Sequence, residues 1–273
     1  MGVGIVRDLM LKPPKLLNGS LIFLPIVNIF GFEENSRYLP DRRDLNRCFP
    51  GKKSGALGSR LAFLVSNEII QKCTGVIDLH TGAFPRTNFP QIRADLSNPG
   101  VKALATAFNA ALTLDGKGEL TTLRNWASRH GVPTICYEAG ETNRFELQAI
   151  KTGLLGIRNT LKSFKMIKGK ITHPHFQLVI KKSSWIRSNT GGILQLHVKP
   201  GDLVEKGEVI ASCLSLITAE KVNIQAKQNG IIVGLTTRPT IKPGEPVCNF
   251  AHVSDAEFHK LYKKHDNITA YDE

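Results

Sequence analysis

The chain has 273 residues, 41% hydrophobic and 22% charged, with 24 Gly and 14 Pro, which excludes disorder, collagen and a coiled coil and leaves one large globular domain or two. Thirty-six Lys and Arg against 23 Asp and Glu give a net charge of +13, a value that fits nucleic acid, a membrane surface or an anionic small molecule and selects none of them. The most apolar stretch, Leu21 to Phe32, is broken by Pro25 and Asn28 and falls short of the ~20 residues of a spanning helix, so no membrane segment is expected.

From Met1 to about Leu161, apolar runs alternate with helical patterns, which predicts an α/β domain with a largely parallel sheet. Leu21–Val27, Gly75–Leu79 and Pro133–Glu138 read as strands, and Gly58–Lys72, Val101–Leu112 and Glu146–Phe164 as helices covering the sheet. In an open α/β sheet ligands gather at the carboxyl ends of strands, so the polar residues after these runs are the ones to examine.

Past Lys165 the pattern changes to short β-prone runs between Gly and Pro turns. Lys199-Pro-Gly-Asp202 and Lys242-Pro-Gly-Glu245 repeat one turn at a spacing of 43, which predicts two similar halves of a small β barrel or sandwich. This stretch resembles lipoyl- and biotinyl-type domains, which present a modified lysine at a hairpin tip. Lys221 lies near that place but out of register and without Met-Lys-Met, and reads as a surface lysine. The expected domains are 1–165 and 166–273.

The N-terminus lacks the features of a signal peptide and of an N-myristoylation site. Cys48, Cys73, Cys136, Cys213 and Cys248 are odd in number and widely spaced, which predicts buried, reduced thiols and a cytoplasmic protein. Much of the basic excess falls in Lys151–Lys182 and the last lysines with no nucleic-acid module beside it, so a nucleic-acid partner is not expected.

Three segments carry chemistry. Asn35–Gly51 is a charged loop in which Arg37 and Arg47 can clamp a carboxylate, Asn46 supplies an amide, and Asp44 can hold an arginine in place. A salt-bridged surface loop is the competing reading. In Val76-Ile-Asp-Leu-His80, alternation puts Asp78 and His80 on one side with His80 at the carboxyl end, where an imidazole either binds zinc or is simply hydrogen-bonded. Glu138 closes the third run and suits a general base as well as a salt bridge.

Together, Asp44-Leu-Asn-Arg-Cys-Phe-Pro-Gly51, Asp78-Leu-His-Thr-Gly82 and Glu138-Ala-Gly140, followed by a β region, resemble the succinylglutamate desuccinylase/aspartoacylase family of zinc hydrolases over about Gly2 to Val253. Arg86-Thr-Asn-Phe-Pro-Gln-Ile-Arg-Ala-Asp95 is similar to bacterial deacylases of that group. The resemblance implies a zinc-carboxypeptidase-like mixed sheet flanked by helices, then a small all-β, barrel-sandwich-like domain. It implies hydrolysis of the amide of an N-acyl amino acid, with His80 as a zinc ligand, Glu138 as base, Arg37 stabilising the oxyanion, and Asn46 with Arg47 gripping the substrate carboxylate. A small anionic substrate is the implied partner, and a homo-oligomer is compatible with it.

The family's first two zinc ligands come from His-Gly-Asp/Asn-Glu just before a helix that Met1–Leu9 resembles, and no His-x-x-Glu occurs in this sequence. Two expectations follow. Either those ligands lie upstream in the natural product, or the chain is a non-catalytic carboxylate binder. The first carries a corollary, that loss of an N-terminal strand leaves an unpaired sheet edge and a less stable, more aggregation-prone chain.

Overall fold

The computed structural model describes residues 1–262; the basic residues Lys263 and Lys264 lie outside them. In chain order the elements are α1 (Gly2–Leu11), α2 (Ile29–Glu33), α3 (Leu57–Glu68), β1 (Val76–His80), β2 (Arg86–Ala94), α4 (Pro99–Phe108), β3 (Leu112–Asp115), α5 (Leu123–Arg129), β4 (Thr134–Gly140) and α6 (Leu147–Ser163). Then come β5 (Leu178–Ile180), β6 (Ser183–Arg187), β7 (Gly192–Leu196), β8 (Leu203–Val204), β9 (Val209–Leu214), β10 (Lys221–Gln225), β11 (Gly230–Thr236), β12 (Thr240–Ile241), β13 (Pro246–His252) and α7 (Asp255–Tyr262).

A nine-stranded sheet runs β1-β4-β2-β11-β13-β6, with β3 beside β2 and β5 and with β8 beside β11. It is mixed rather than largely parallel: β4 pairs parallel with β1, but β2 runs antiparallel to β4 and to β11. β2 divides its far edge, Arg86–Asn88 pairing with β11 and Ile92–Ala94 with β3. Strands from both sides of residue 165 therefore share one sheet. The pairing of β2 with β4 slips between Asn88 and Gln91, where Pro90 has no N–H to offer the ladder. A second sheet, β10-β9-β7-β12, is antiparallel throughout.

Alternation along the strands sorts the two faces of the larger sheet. Ile92, Ala94, Ile135, Tyr137 and Ala139 join Ile5, Leu104, Phe108, Ile157 and Leu161 in a core under α1, α4 and α6. The helices close tightly there because α6 presents Gly156 to the Phe108 ring, where a Cβ would collide with the ring carbons. On the other face, Ala62, Val65, Trp126 and Ala127 pack with Leu39, Leu45 and Phe49, so α3 and α5 carry the Asn35–Gly51 loop.

Leu21–Val27 is not a strand. Leu21 and Phe23 pack on the first core and Val27 on the second, while Pro25 removes a ladder donor; the apolar run records burial rather than pairing. The predicted helix Val101–Leu112 ends at Phe108, with Asn109 in the left-handed conformation (φ 62°), and Leu112 starts β3. β1 pairs only with β4 among the described residues, and all five of its residues are half-buried.

The two Lys-Pro-Gly-acid turns, each leading from the smaller sheet into the larger one (β7 to β8 and β12 to β13), fold alike. Asp202 N donates to Lys199 O while Asp202 Oδ2 accepts from Lys199 N at 2.8 Å; Glu245 and Lys242 repeat this, with 2.9 Å for the side-chain bond. Gly201 and Gly244 supply the positive φ, 98° and 84°, that the third turn position requires. Glu205-Lys-Gly-Glu208 is a third copy, with Glu208 Oε2 accepting from Glu205 N at 3.0 Å and Gly207 at φ 91°. Lys221 is exposed at the start of β10, just after the hairpin turn.

Candidate active site

Two rows of side chains cross the α5-facing side of the sheet. The register places Asp78 beside Cys136 and Cys136 opposite Arg93, and places His80 beside Glu138 and Glu138 opposite Gln91. Neighbouring residues in register point to the same face. The first row and the His80–Glu138 pair line one cavity of about 320 Å³ together with Arg37, Asn46, Arg47, Arg86, Arg124, Trp185 and Asn249.

His80 Nε2 lies 2.8 Å from Asp78 Oδ2. The Asp78 carboxylate, and after it Cys136, raise the His80 pKa well above its ordinary value against the opposing effect of burial. Cys136 is buried, which pushes its thiol up, while His80 beside it pulls the other way. Donor atoms of Asp78, His80 and Cys136 all fall within 4.8 Å of one another. An imidazole nitrogen, a thiol sulfur and a carboxylate oxygen are all donors that zinc accepts, so the residues present fit that metal.

Glu138 Oε2 accepts from Asn88 Nδ2 at 3.1 Å and lies 3.1 Å from Arg93 Nε. Its side chain is therefore fixed from β2, a strand that sequence pattern alone did not reveal.

The Asn35–Gly51 loop is tied down by its own acids. Asp44 Oδ2 accepts from Arg37 Nε at 3.0 Å and Nη2 at 2.7 Å, and Asp44 Oδ1 caps the Leu45–Arg47 turn through Asn46 N at 2.9 Å. Asp41 Oδ2 accepts from Gly58 N at the start of α3. Asn46 Oδ1 accepts from Leu123 N, the first residue of α5, at 2.9 Å, which leaves the amide N–H groups for a ligand. Arg47 is held by Glu119, Nε to Oε2 at 2.6 Å. The arginine side chains of these pairs remain 40–49% exposed, so the pairs orient the arginines and add little stability.

The structure thus brings Arg37, Asn46, Arg47, His80 and Glu138 to one cavity. It adds residues that sequence reasoning missed or left aside. Arg86 has its guanidinium 4.3 Å from the Trp185 ring centroid and no acidic partner among the described residues; burial, then Arg187 and Arg37, lower its pKa. Trp185 and Asn249 reach the cavity from β6 and β13, and Asn249 Oδ1 is buried without a hydrogen-bond partner. The signal for Cys136 was present: it stands two residues before Glu138, on the same face. Nothing local marks Trp185 or Asn249, whose position depends on β11 joining β2.

All five cysteines are free thiols; Cys136, Cys213 and Cys248 are buried, but Cys48 and Cys73 are only half-buried. No helix among the described residues is long and apolar enough to cross a membrane.

The sequence profile of the succinylglutamate desuccinylase/aspartoacylase catalytic domain matches residues 1–164. The N-alpha-acetyl-L-2,4-diaminobutyric acid deacetylase of Halomonas elongata is 22% identical over 257 residues, 88% of this chain and 74% of that protein. The product-bound ectoine utilization protein EutE (DoeB) of Ruegeria pomeroyi superposes with a TM-score of 0.81 at 21% identity, over 92% of this chain and 81% of its own. A succinylglutamate desuccinylase/aspartoacylase of Rhodobacter sphaeroides gives 0.81 at 22% identity, over 93% and 82%. With the profile covering well over half its length, the chain belongs to the succinylglutamate desuccinylase/aspartoacylase family of deacylases.

Proposed function

We infer that the chain is a metal-dependent hydrolase of the amide bond of an N-acyl amino acid, with zinc as the metal its donors suit. The observation that carries this reading is the convergence of Glu138, His80, Arg37, Asn46 and Arg47 on one cavity. Five arginines against three acids line that cavity, so it favours an anionic ligand.

The cluster around His80 would hold the metal, which when bound polarises the scissile carbonyl and acidifies water. The chain's own groups do the rest. The Asn46 amide and Arg47 hold the substrate carboxylate, Arg47 being kept in place by Glu119. Arg86, charged, stacked on Trp185 and without an acidic partner among the described residues, offers a further contact for negative charge. Arg37, fixed by Asp44, faces the oxygen on which charge develops. Glu138 takes the proton of the attacking water and returns it to the leaving amine, while Asn88 and Arg93 keep its carboxylate in position. The free thiols suit a reducing cytoplasm, and the proposed partner is the small anionic substrate rather than nucleic acid or membrane.

The test is release of primary amine from N-acetyl and N-succinyl amino acids, with N-alpha-acetyl-L-2,4-diaminobutyrate included on account of the Halomonas relative. Turnover of any of them by the zinc-supplied chain supports the reading. Saturable binding without turnover favours a non-catalytic carboxylate binder, and neither binding nor turnover rejects both.

A further inference from the structure

We propose that the groove between the end of α1 and the end of α6 is a second binding site, for an organic phosphate that carries at least two negative charges on an apolar or aromatic body. It lies on the α1–α6 side of the larger sheet, away from the α5-facing side, and shares no lining residue with the candidate active site.

The argument starts from positive charge that the deacylase reading does not use. Leu147 to Gly201 holds ten Lys and Arg and no Asp or Glu, and Leu9 to Phe32 holds Lys12 and Lys15 and no acid. The fold laces these two stretches together: Leu17 N donates to Met166 O at 2.8 Å, and Asn18 Nδ2 donates to Lys165 O at 2.8 Å. α1 stops at Leu11, and Pro13 and Pro14, which have no N–H to continue the helix, turn the chain away. The groove left between this turn and the end of α6 has a volume of about 520 Å³, within the roughly 300–1,000 Å³ of small-ligand sites.

Rim and floor differ in character. Lys12, Lys15, Arg158 and Lys168 surround the groove and are exposed. Among the described residues none of the four side chains has an ion-pair or hydrogen-bond partner, and the nearest acid in sequence, Asp8, is engaged by Arg7 at 2.8 Å. Beneath them, Leu9 and Ile167 belong to the α1–α6 core, while Leu17 stays 59% exposed at the groove.

Chemistry narrows the ligand. Four unpartnered cations around one groove call for more negative charge than one carboxylate brings, and a phosphate carries about −1.5 to −2 near neutral pH. Lysine binds phosphate well as a point charge. The apolar floor calls for an apolar body beside the charge, and the concave shape limits it to a small molecule; a duplex or a bilayer would meet the cations alone.

The test is calorimetric titration of the complete chain with adenosine 3′,5′-bisphosphate. The expected result is one bound per chain, weakened by added salt and weakened roughly tenfold or more in the Lys15→Glu/Lys168→Glu double variant, with circular dichroism showing that the variant is folded. Arg47→Ala, in the candidate active site, should bind it as the wild type does. Inorganic phosphate, the charge alone, and adenosine, the body alone, should each bind far more weakly. Absence of saturable binding, binding unchanged in the double variant, or binding lost in Arg47→Ala overturns the proposal. Inorganic phosphate binding as tightly as the bisphosphate overturns the apolar half of the site. Duplex DNA or anionic vesicles retained by a chain that ignores the bisphosphate overturn it in favour of a macromolecular partner. The site stands apart from the deacylase reading, so amide hydrolysis without added phosphate should be equal in the double variant and the wild type.

Discussion

His80 and Glu138 lie side by side in the parallel pairing of β1 with β4, the imidazole proposed for the metal and the proposed base supported by one ladder. The same ladder sets Cys136 beside Asp78, so two residues of shift in either strand would take both functions apart.

The pairing predicts a pH response. The Asp78 carboxylate raises the His80 pKa, so its stabilisation is fully present below the unfolded value of about 6.5 and is lost as pH rises through the folded value. In the metal-free chain, histidine NMR should show His80 titrating above an ordinary histidine, with the midpoint lowered in Asp78→Asn. An unmoved midpoint would remove Asp78 as the cause.

Glu138→Gln keeps the shape of the side chain but cannot take a proton. Deacylation should fall roughly 10²–10⁴-fold while the melting temperature stays close to wild type, as stopped assays and calorimetry would show. Unchanged hydrolysis would transfer the base's role elsewhere.

Asn46 has two jobs that substitution separates. Asn46→Ala leaves Leu123 N at the start of α5 without its acceptor and should cost about 1 kcal/mol by denaturant unfolding. Asn46→Asp keeps an acceptor but loses the amide donors and places an anion near the substrate carboxylate, so it should raise KM with little loss of stability. Equal KM for Asp and Asn would take Asn46 out of substrate binding.

The C-terminal β region enters the site through Trp185, the platform for Arg86. Arg86→Ala and Trp185→Ala should each raise KM more than they lower kcat, the mark of lost binding rather than lost chemistry. An effect confined to kcat would place them in the reaction itself.

Much of this site was readable from the chain. Two-residue alternation gave Asp78 and His80 a common face, and the charged, arginine-rich loop announced Arg37, Asn46 and Arg47. Alternation failed at Leu21–Val27 because burial on two cores and strand pairing leave the same apolar trace. β2 was hidden because Arg86, Asn88, Pro90 and Arg93 read as a polar motif, although its ladder fixes Glu138. Without β2, neither the antiparallel turn of the sheet nor the arrival of Trp185 and Asn249 can be inferred, since the first rests on the β2–β4 ladder and the second on pairing β2 with β11 across more than a hundred residues of chain. The third acid turn, Glu205–Glu208, was missed because Lys206 stands where its two counterparts have proline.

Core packing offers an independent check on the fold. Gly156→Ala drives a methyl into Phe108 between α6 and α4 and should destabilise by about 1–3 kcal/mol. A neutral result in urea unfolding would contradict the close approach of these helices.

The most direct measurement is amine release from N-acyl amino acids by the zinc-supplied chain, run beside Glu138→Gln. The account predicts turnover of at least one N-acyl amino acid by the wild-type protein and its near-complete loss in the variant. Equal rates in the two proteins, or no hydrolysis of any N-acyl amino acid, would contradict it.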